Sequence, residues 1–195
     1  MTDLLDNYNA MRAELVTGDV LVCNGKDVSA VCIKTLTSKK GYQQASHVAT
    51  IIVIKEFDRV MISESVINKG VRFIRLSKYL KNYDNKGNAY TGFLSIFRHE
   101  DYQYHPNLEK KLVKFVFDNL GRDYSKRQIL SLLFRLITKK MPIRIIEKHE
   151  EYICSEFCDV GENILNLFLP KKSINQIALP CDFTAKPYKL LGELK

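Results

Sequence analysis

No stretch of this 195-residue chain is apolar for long enough to cross a bilayer, since its strongly apolar runs fall far short of the ~20 residues that a spanning helix needs. Its start, Met1-Thr2-Asp3-Leu4-Leu5-Asp6-Asn7, has neither the basic segment nor the apolar core of a secretory signal. A cytoplasmic protein with no transmembrane segment is the expectation. The five cysteines are odd in number and lack a framework-like spacing, which argues against a secreted disulfide scaffold and predicts free thiols. Internal repeats, low-complexity tracts and a flexible linker are also missing, so residues 1–195 read as a single domain able to bury a real core.

An apolar content of 46% and a charged fraction of 27% fit a globular chain. The formal charge of +8 is unevenly spread: residues 122–148 hold eight Lys or Arg against Asp123 and Glu147. Such a block suits either a solvated basic face or peripheral contact with an anionic surface. It has no recognised nucleic-acid motif, and nucleic acid is not an expected partner. Oligomeric state is left open.

The first dozen residues read as a short helix, and Thr17-Gly18-Asp19 leads into a strand at Val20–Cys23. Asp27 or Ser29 can cap a helix through Val31, Ile33 and Leu36. Strands are expected at 48–54, 60–63, 71–76 and 93–97, joined by turns such as Asn68-Lys69-Gly70. These connections are too short for parallel crossovers, so an α+β fold built on an antiparallel meander or small barrel follows, with helices on one side. In the second half, Asn107 is placed to cap a helix closed by Gly121, and Ile129–Ile137 is apolar around most of its circumference. A last helix runs from Cys154 to about Phe168, with Cys154, Cys158, Gly161 and Leu165 forming a narrow face for close packing.

That last helix carries the strongest chemical signal. In Glu151-Tyr152-Ile153-Cys154-Ser155-Glu156-Phe157-Cys158 a cysteine stands where an extended segment becomes helix. Unpaired N–H groups and the positive end of the helix dipole favour thiolate there, and the same groups can hold an oxyanion. His47 heads one apolar strand and Glu64 ends another. An imidazole can take the thiol proton, and a carboxylate on its other nitrogen can fix the tautomer. A thiol, a base and an orienting carboxylate make Cys154, His47 and Glu64 the candidate catalytic residues.

Gly18-Asp19-Val20-Leu21, Ser46-His47-Val48-Ala49, Ile62-Ser63-Glu64-Ser65, Tyr152-Ile153-Cys154-Ser155-Glu156-Phe157 and Leu179-Pro180-Cys181-Asp182-Phe183 together resemble the circularly permuted, papain-like cysteine hydrolases of the NlpC superfamily, in particular the YiiX/YaeF-like group. The resemblance spans about residues 16–185. It implies Cys154 as nucleophile, His47 as base and Glu64 as orienting residue, on a small antiparallel barrel with helices packed on one side. The implied activity is that of a cysteine peptidase or amidase. Lecithin:retinol acyltransferase and its relatives are similar in order, but their histidine third residue and Asn-Cys-Glu-His context are absent.

Two other readings stand beside the hydrolase: an acyltransferase acting on lipids, and a catalytically silent basic binding module. The expected substrate is a small peptide or an acyl-amide or lipid-like molecule; amide, ester and thioester carbonyls all suit the same residues. Cys154, Cys158, Cys181 and His149 lack the two closely spaced pairs of structural zinc. Neither metal nor cofactor is expected. Asp19 is the next carboxylate in line should Glu64 not serve.

Overall fold

The computed structural model describes residues 4–37, 41–125, 152–169 and 178–194. Most of the basic block, with the apolar stretch 129–137 and His149, lies outside the described residues.

Six strands form one sheet: β1 (Val20–Asn24), β2 (His47–Ile54), β3 (Arg59–Val66), β4 (Gly70–Arg75), β5 (Phe93–His99) and β6 (Tyr188–Glu193). Their order is β4-β3-β2-β1-β5-β6, and every neighbouring pair is antiparallel. The antiparallel expectation holds, and the sheet is open. Among the described residues β4 and β6 lie at its two ends; β6, which the sequence reading omits, extends the sheet from β5 instead of bringing its edges together. The β3–β4 hairpin turns through Asn68 and Gly70, with φ of 63° and 64°. Glycine is required at position 70 twice over, because a Cβ there would lie 2.1 Å from the Arg122 carbonyl oxygen. That carbonyl accepts the Val71 amide at 2.8 Å and ties the hairpin to the segment leading toward the cysteine helix.

The described helices are α1 (Leu4–Met11), α2 (Val28–Thr37), α3 (Leu76–Lys81), α4 (Pro106–Asp118) and α5 (Cys154–Ile164). They cover both faces of the sheet, which corrects the expectation of helices on one side. On one face Leu21, Cys23, Ala49, Ile51 and Ile62 pack with Tyr8 of α1 and with Leu76, Tyr79 and Leu80 of α3. On the other, Val20, Val22 and Val48 pack with Cys154 and Cys158, while Ile52 meets Leu112, Val116 and Phe157. The reason lies in the strands themselves: β1 and β2 are apolar at successive positions, so either face left bare would expose a row of aliphatic side chains. Each such side chain fully buried contributes about 1.5–3 kcal/mol.

Helix α5 lies on β2 and β3. Its narrow face is as expected: a Cβ added at Gly161 would meet Leu112 Cδ1 at 3.2 Å, and Thr50 Oγ1 on β2 donates to Cys158 Sγ at 3.3 Å. Helix α4 starts two residues earlier than expected, with His105 and not Asn107 at the cap. Pro106 takes the first helical position, where its missing N–H costs nothing.

Candidate active site

His47 is the first residue of β2, and the pairing of Thr50 with Ser63 sets Glu64 of β3 diagonally across from it on the same face. The His47 Nε2 lies 2.5 Å from Glu64 Oε2. Arg72, directly opposite Glu64 on β4, donates from Nε to Glu64 Oε1 at 2.6 Å. The Tyr79 hydroxyl, from α3, donates to Glu64 Oε2. Glu64 itself is fully enclosed. Burial works to raise its pKa, but His47, Arg72 and the Tyr79 hydrogen bond hold the carboxyl below its usual range.

Cys154 opens α5. Its N-cap, Ile153, is extended and offers no side-chain acceptor, which leaves the first amide N–H groups of the helix without a capping side chain. The approach to the cysteine is pinned from two directions. Tyr152 forms a parallel bridge with Tyr124, and its carbonyl accepts from the Ser125 amide at 3.2 Å and from Ser65 Oγ of β3 at 2.8 Å. The sheet that carries His47 and Glu64 thus also sets where the helix begins.

Thiol and imidazole come close enough at this point for the Cys154 sulfur to act on the charge of the ring. With Nε2 engaged by Glu64, Nδ1 is the ring nitrogen left for the thiol. Burial of the ring opposes its charge most, but the Cys154 charge and hydrogen bond, followed by those of Glu64, outweigh it and push the His47 pKa up to about 10. The Tyr124 hydroxyl also reaches the sulfur, and burial together with the Cys154 charge raises its pKa, so it stays a proton donor. The three side chains open on a groove of about 500 Å³ whose walls include Ile33, Val66, Ile67, Tyr83 and Tyr90.

All three sequence-predicted residues therefore come together in one line, Cys154–His47–Glu64. Asp19 does not join them: it is buried in an ion pair with Arg98, at 2.6 and 2.8 Å, and accepts from the Val16 amide. Cys23 and Cys158 are enclosed, and burial first of all pushes both thiols well above their ordinary range. Cys181 donates to the Thr37 carbonyl at 3.2 Å. Cys154 and Cys158 are both free thiols. Among the described residues no group of three or more His, Cys, Asp or Glu side chains is arranged to hold a metal ion.

Arg72, Tyr79 and Tyr124 are the supporting residues that sequence reasoning misses. Arg72 alternates with apolar neighbours and looks like any solvent-facing strand residue, and only the register with Glu64 gives it a partner. Tyr79 lies on a helix that the strand pattern does not announce.

No family model matches the chain, and no curated protein matches it. Among solved structures it is similar to the crystal structure of the metalloprotein YiiX from Escherichia coli O157:H7, with a TM-score of 0.60 and 14% sequence identity over 91% of this chain and 97% of that one. The chain has a YiiX-like mixed α/β fold. At that identity the likeness extends to the fold alone.

Proposed function

We propose that this protein is a cysteine hydrolase of the permuted papain-like kind, cleaving an amide or ester through an acyl-enzyme on Cys154. The observation that carries the reading is the continuous line from the thiol at a helix start, through His47, to an ionised and fully buried Glu64. The Cys154 sulfur attacks the substrate carbonyl carbon, and the carbonyl oxygen takes up negative charge where the first N–H groups of α5 can donate to it. His47, held as imidazolium by Glu64, gives its proton to the leaving amine or alcohol as the tetrahedral adduct collapses. Water then attacks the thioester, losing its proton to the same imidazole. Tyr124 donates to the sulfur or to the developing oxyanion. Apolar and aromatic groove walls favour a small peptide or an acyl-amide or lipid-like substrate.

YiiX is a metalloprotein. The donor set here does not fit a metal: the Glu64 oxygens are committed to His47, Arg72 and Tyr79, and no third ligand joins Cys154 and His47 among the described residues. The test is a screen with acyl probes of varied chain and leaving group. Cys154→Ala should abolish both labelling and turnover, since it removes the thiol on which the acyl-enzyme forms. Turnover that survives in Cys154→Ala would end the reading.

A further inference from the structure

A second concavity, of about 340 Å³, lies between α1, the β2–β3 turn and α3. It shares no lining residue with the groove at Cys154. Four of its lining side chains, Arg12, Arg59, Arg75 and Lys81, are cations, and one, Asp58, is a carboxylate. Asp58 is already engaged: Arg12 Nη2 donates to its Oδ1 and to its carbonyl, both at 2.8 Å, and Arg59 Nη1 donates to the same carbonyl at 2.9 Å. Two guanidinium groups are thereby held on the turn, which Asp58 makes by adopting a left-handed backbone at φ 48°. Arg75 and Lys81 stand on the other wall with no acidic partner among the described residues. Asn9 and Ser77 add an amide and a hydroxyl.

Like charges gathered in one hollow repel each other, and Asp58, which pairs with Arg12, is the one carboxylate among the lining residues to set against the four cations. The core offers no reason for it either, since Tyr8 and Val60 already close the apolar floor. Guanidinium forks with an ammonium and two neutral polar groups form the donor set that binds phosphate oxygens, the forks pairing two oxygens at once. The hollow is also of the size that takes a small ligand. We propose that this cavity is a binding site for a phosphate-bearing ligand, separate from the hydrolase site and independent of that reading. The phosphate can belong to a soluble small molecule or to a lipid headgroup.

The experiment titrates the whole protein calorimetrically with inorganic pyrophosphate. In parallel it measures cosedimentation with phosphatidylcholine vesicles, with and without phosphatidic acid. Saturable one-to-one binding of pyrophosphate is expected if the source is soluble, and retention on phosphatidic acid vesicles alone if it is a headgroup. In either arm Arg75→Ala with Lys81→Ala should weaken binding about tenfold or more, equivalent to ~1.4 kcal/mol. The control is Lys110→Ala with Lys111→Ala, which removes the same charge from exposed positions on α4 and should leave binding within about twofold, a small change on the same scale. Circular dichroism checks that both double variants remain folded. Absence of saturable binding in both arms would overturn the site. So would an equal loss in the α4 control, which would reduce the effect to net charge.

Discussion

Glu64 on β3 and Glu162 on α5 are both at 0% exposure, yet the fold shifts their pKa values in opposite directions. Glu64 has two cations and a hydroxyl around it, and its pKa is lowered. Glu162 has only the Tyr188 hydroxyl, which donates to Oε2 at 3.0 Å, while Oε1 has no hydrogen-bond partner among the described residues. Burial first, then the nearby charges of Asp19 and Asp159, push its pKa well above the usual range against that single hydrogen bond. Burial thus favours the neutral acid at Glu162, and the neighbouring cations favour the anion at Glu64. Enclosure sets the cost of a charge, and the partners on the neighbouring strands decide whether it is met. Only the second kind of environment can hold an imidazolium at the mouth of a groove.

The sharpest way to break this contrast is to remove the group that Glu64 serves. His47→Ala should slow iodoacetamide alkylation of Cys154 at mildly acidic pH by about a hundredfold or more, the scale of general-base activation. In the wild type Cys154, which lines the groove, should react well ahead of Cys23, Cys158 and Cys181, which do not line it. Labelling at equal rates in wild type and His47→Ala would show that the imidazole does not activate the sulfur. Because the His47 pKa is pushed up to about 10, the wild-type alkylation rate should hold through neutral pH and change only as that value is passed.

Next in size is the loss of a cation from the buried anion. Arg72→Met leaves Glu64 less compensated and should cost about 3 kcal/mol in urea unfolding, the range for breaking a buried ion pair. A cost near zero would mean that His47 and Tyr79 suffice. Glu64→Gln should be milder for turnover, roughly tenfold, because an amide can still hold the ring while support of the imidazolium is lost.

The two carboxylates should also part company with pH. Glu64, with a lowered folded pKa, contributes stability that is present above the ordinary carboxyl value of 4.5 and lost as pH falls through its folded value. Glu162, with a raised one, does the reverse: above 4.5 the unfolded chain releases a proton that the folded chain keeps, so stability falls as pH rises. The unfolding free energy of Glu162→Gln relative to wild type should therefore increase from acid to neutral pH, and that of Glu64→Gln should decrease. Parallel profiles would put both groups in the same charge state. Smallest of all, Glu162→Gln at acidic pH should lie within about 1 kcal/mol of wild type, since an amide then replaces a neutral acid of the same shape.

Much of this was legible in the chain. Short apolar runs bounded by turn residues placed β1 to β5, the shortness of the connections predicted their antiparallel pairing, and Asp27 does cap α2, its Oδ1 accepting from the Ala30 amide at 2.9 Å. Two elements escaped. β6 reads Tyr-Lys-Leu-Leu-Gly-Glu, without alternation, and is a strand only because the free edge of β5 accepts it. α3 is six residues long, too short for a helical period to show, and exists because Leu76, Tyr79 and Leu80 find a place on the sheet.

By itself the sequence determined the residue types at the site and their local settings: a thiol at a helix start, an imidazole at a strand head, a carboxylate at a strand tail. Those depend on neighbours a few residues away, which local propensity and capping control. Which carboxylate the imidazole meets, why Asp19 pairs with Arg98 instead, and that Arg72 and Tyr79 keep Glu64 charged were decided by tertiary structure. They rest on register across three strands and on a helix brought over one face of the sheet. Ion pairs between distant segments have no signature along the chain, because Coulomb's law acts on separation in space and not on separation in sequence.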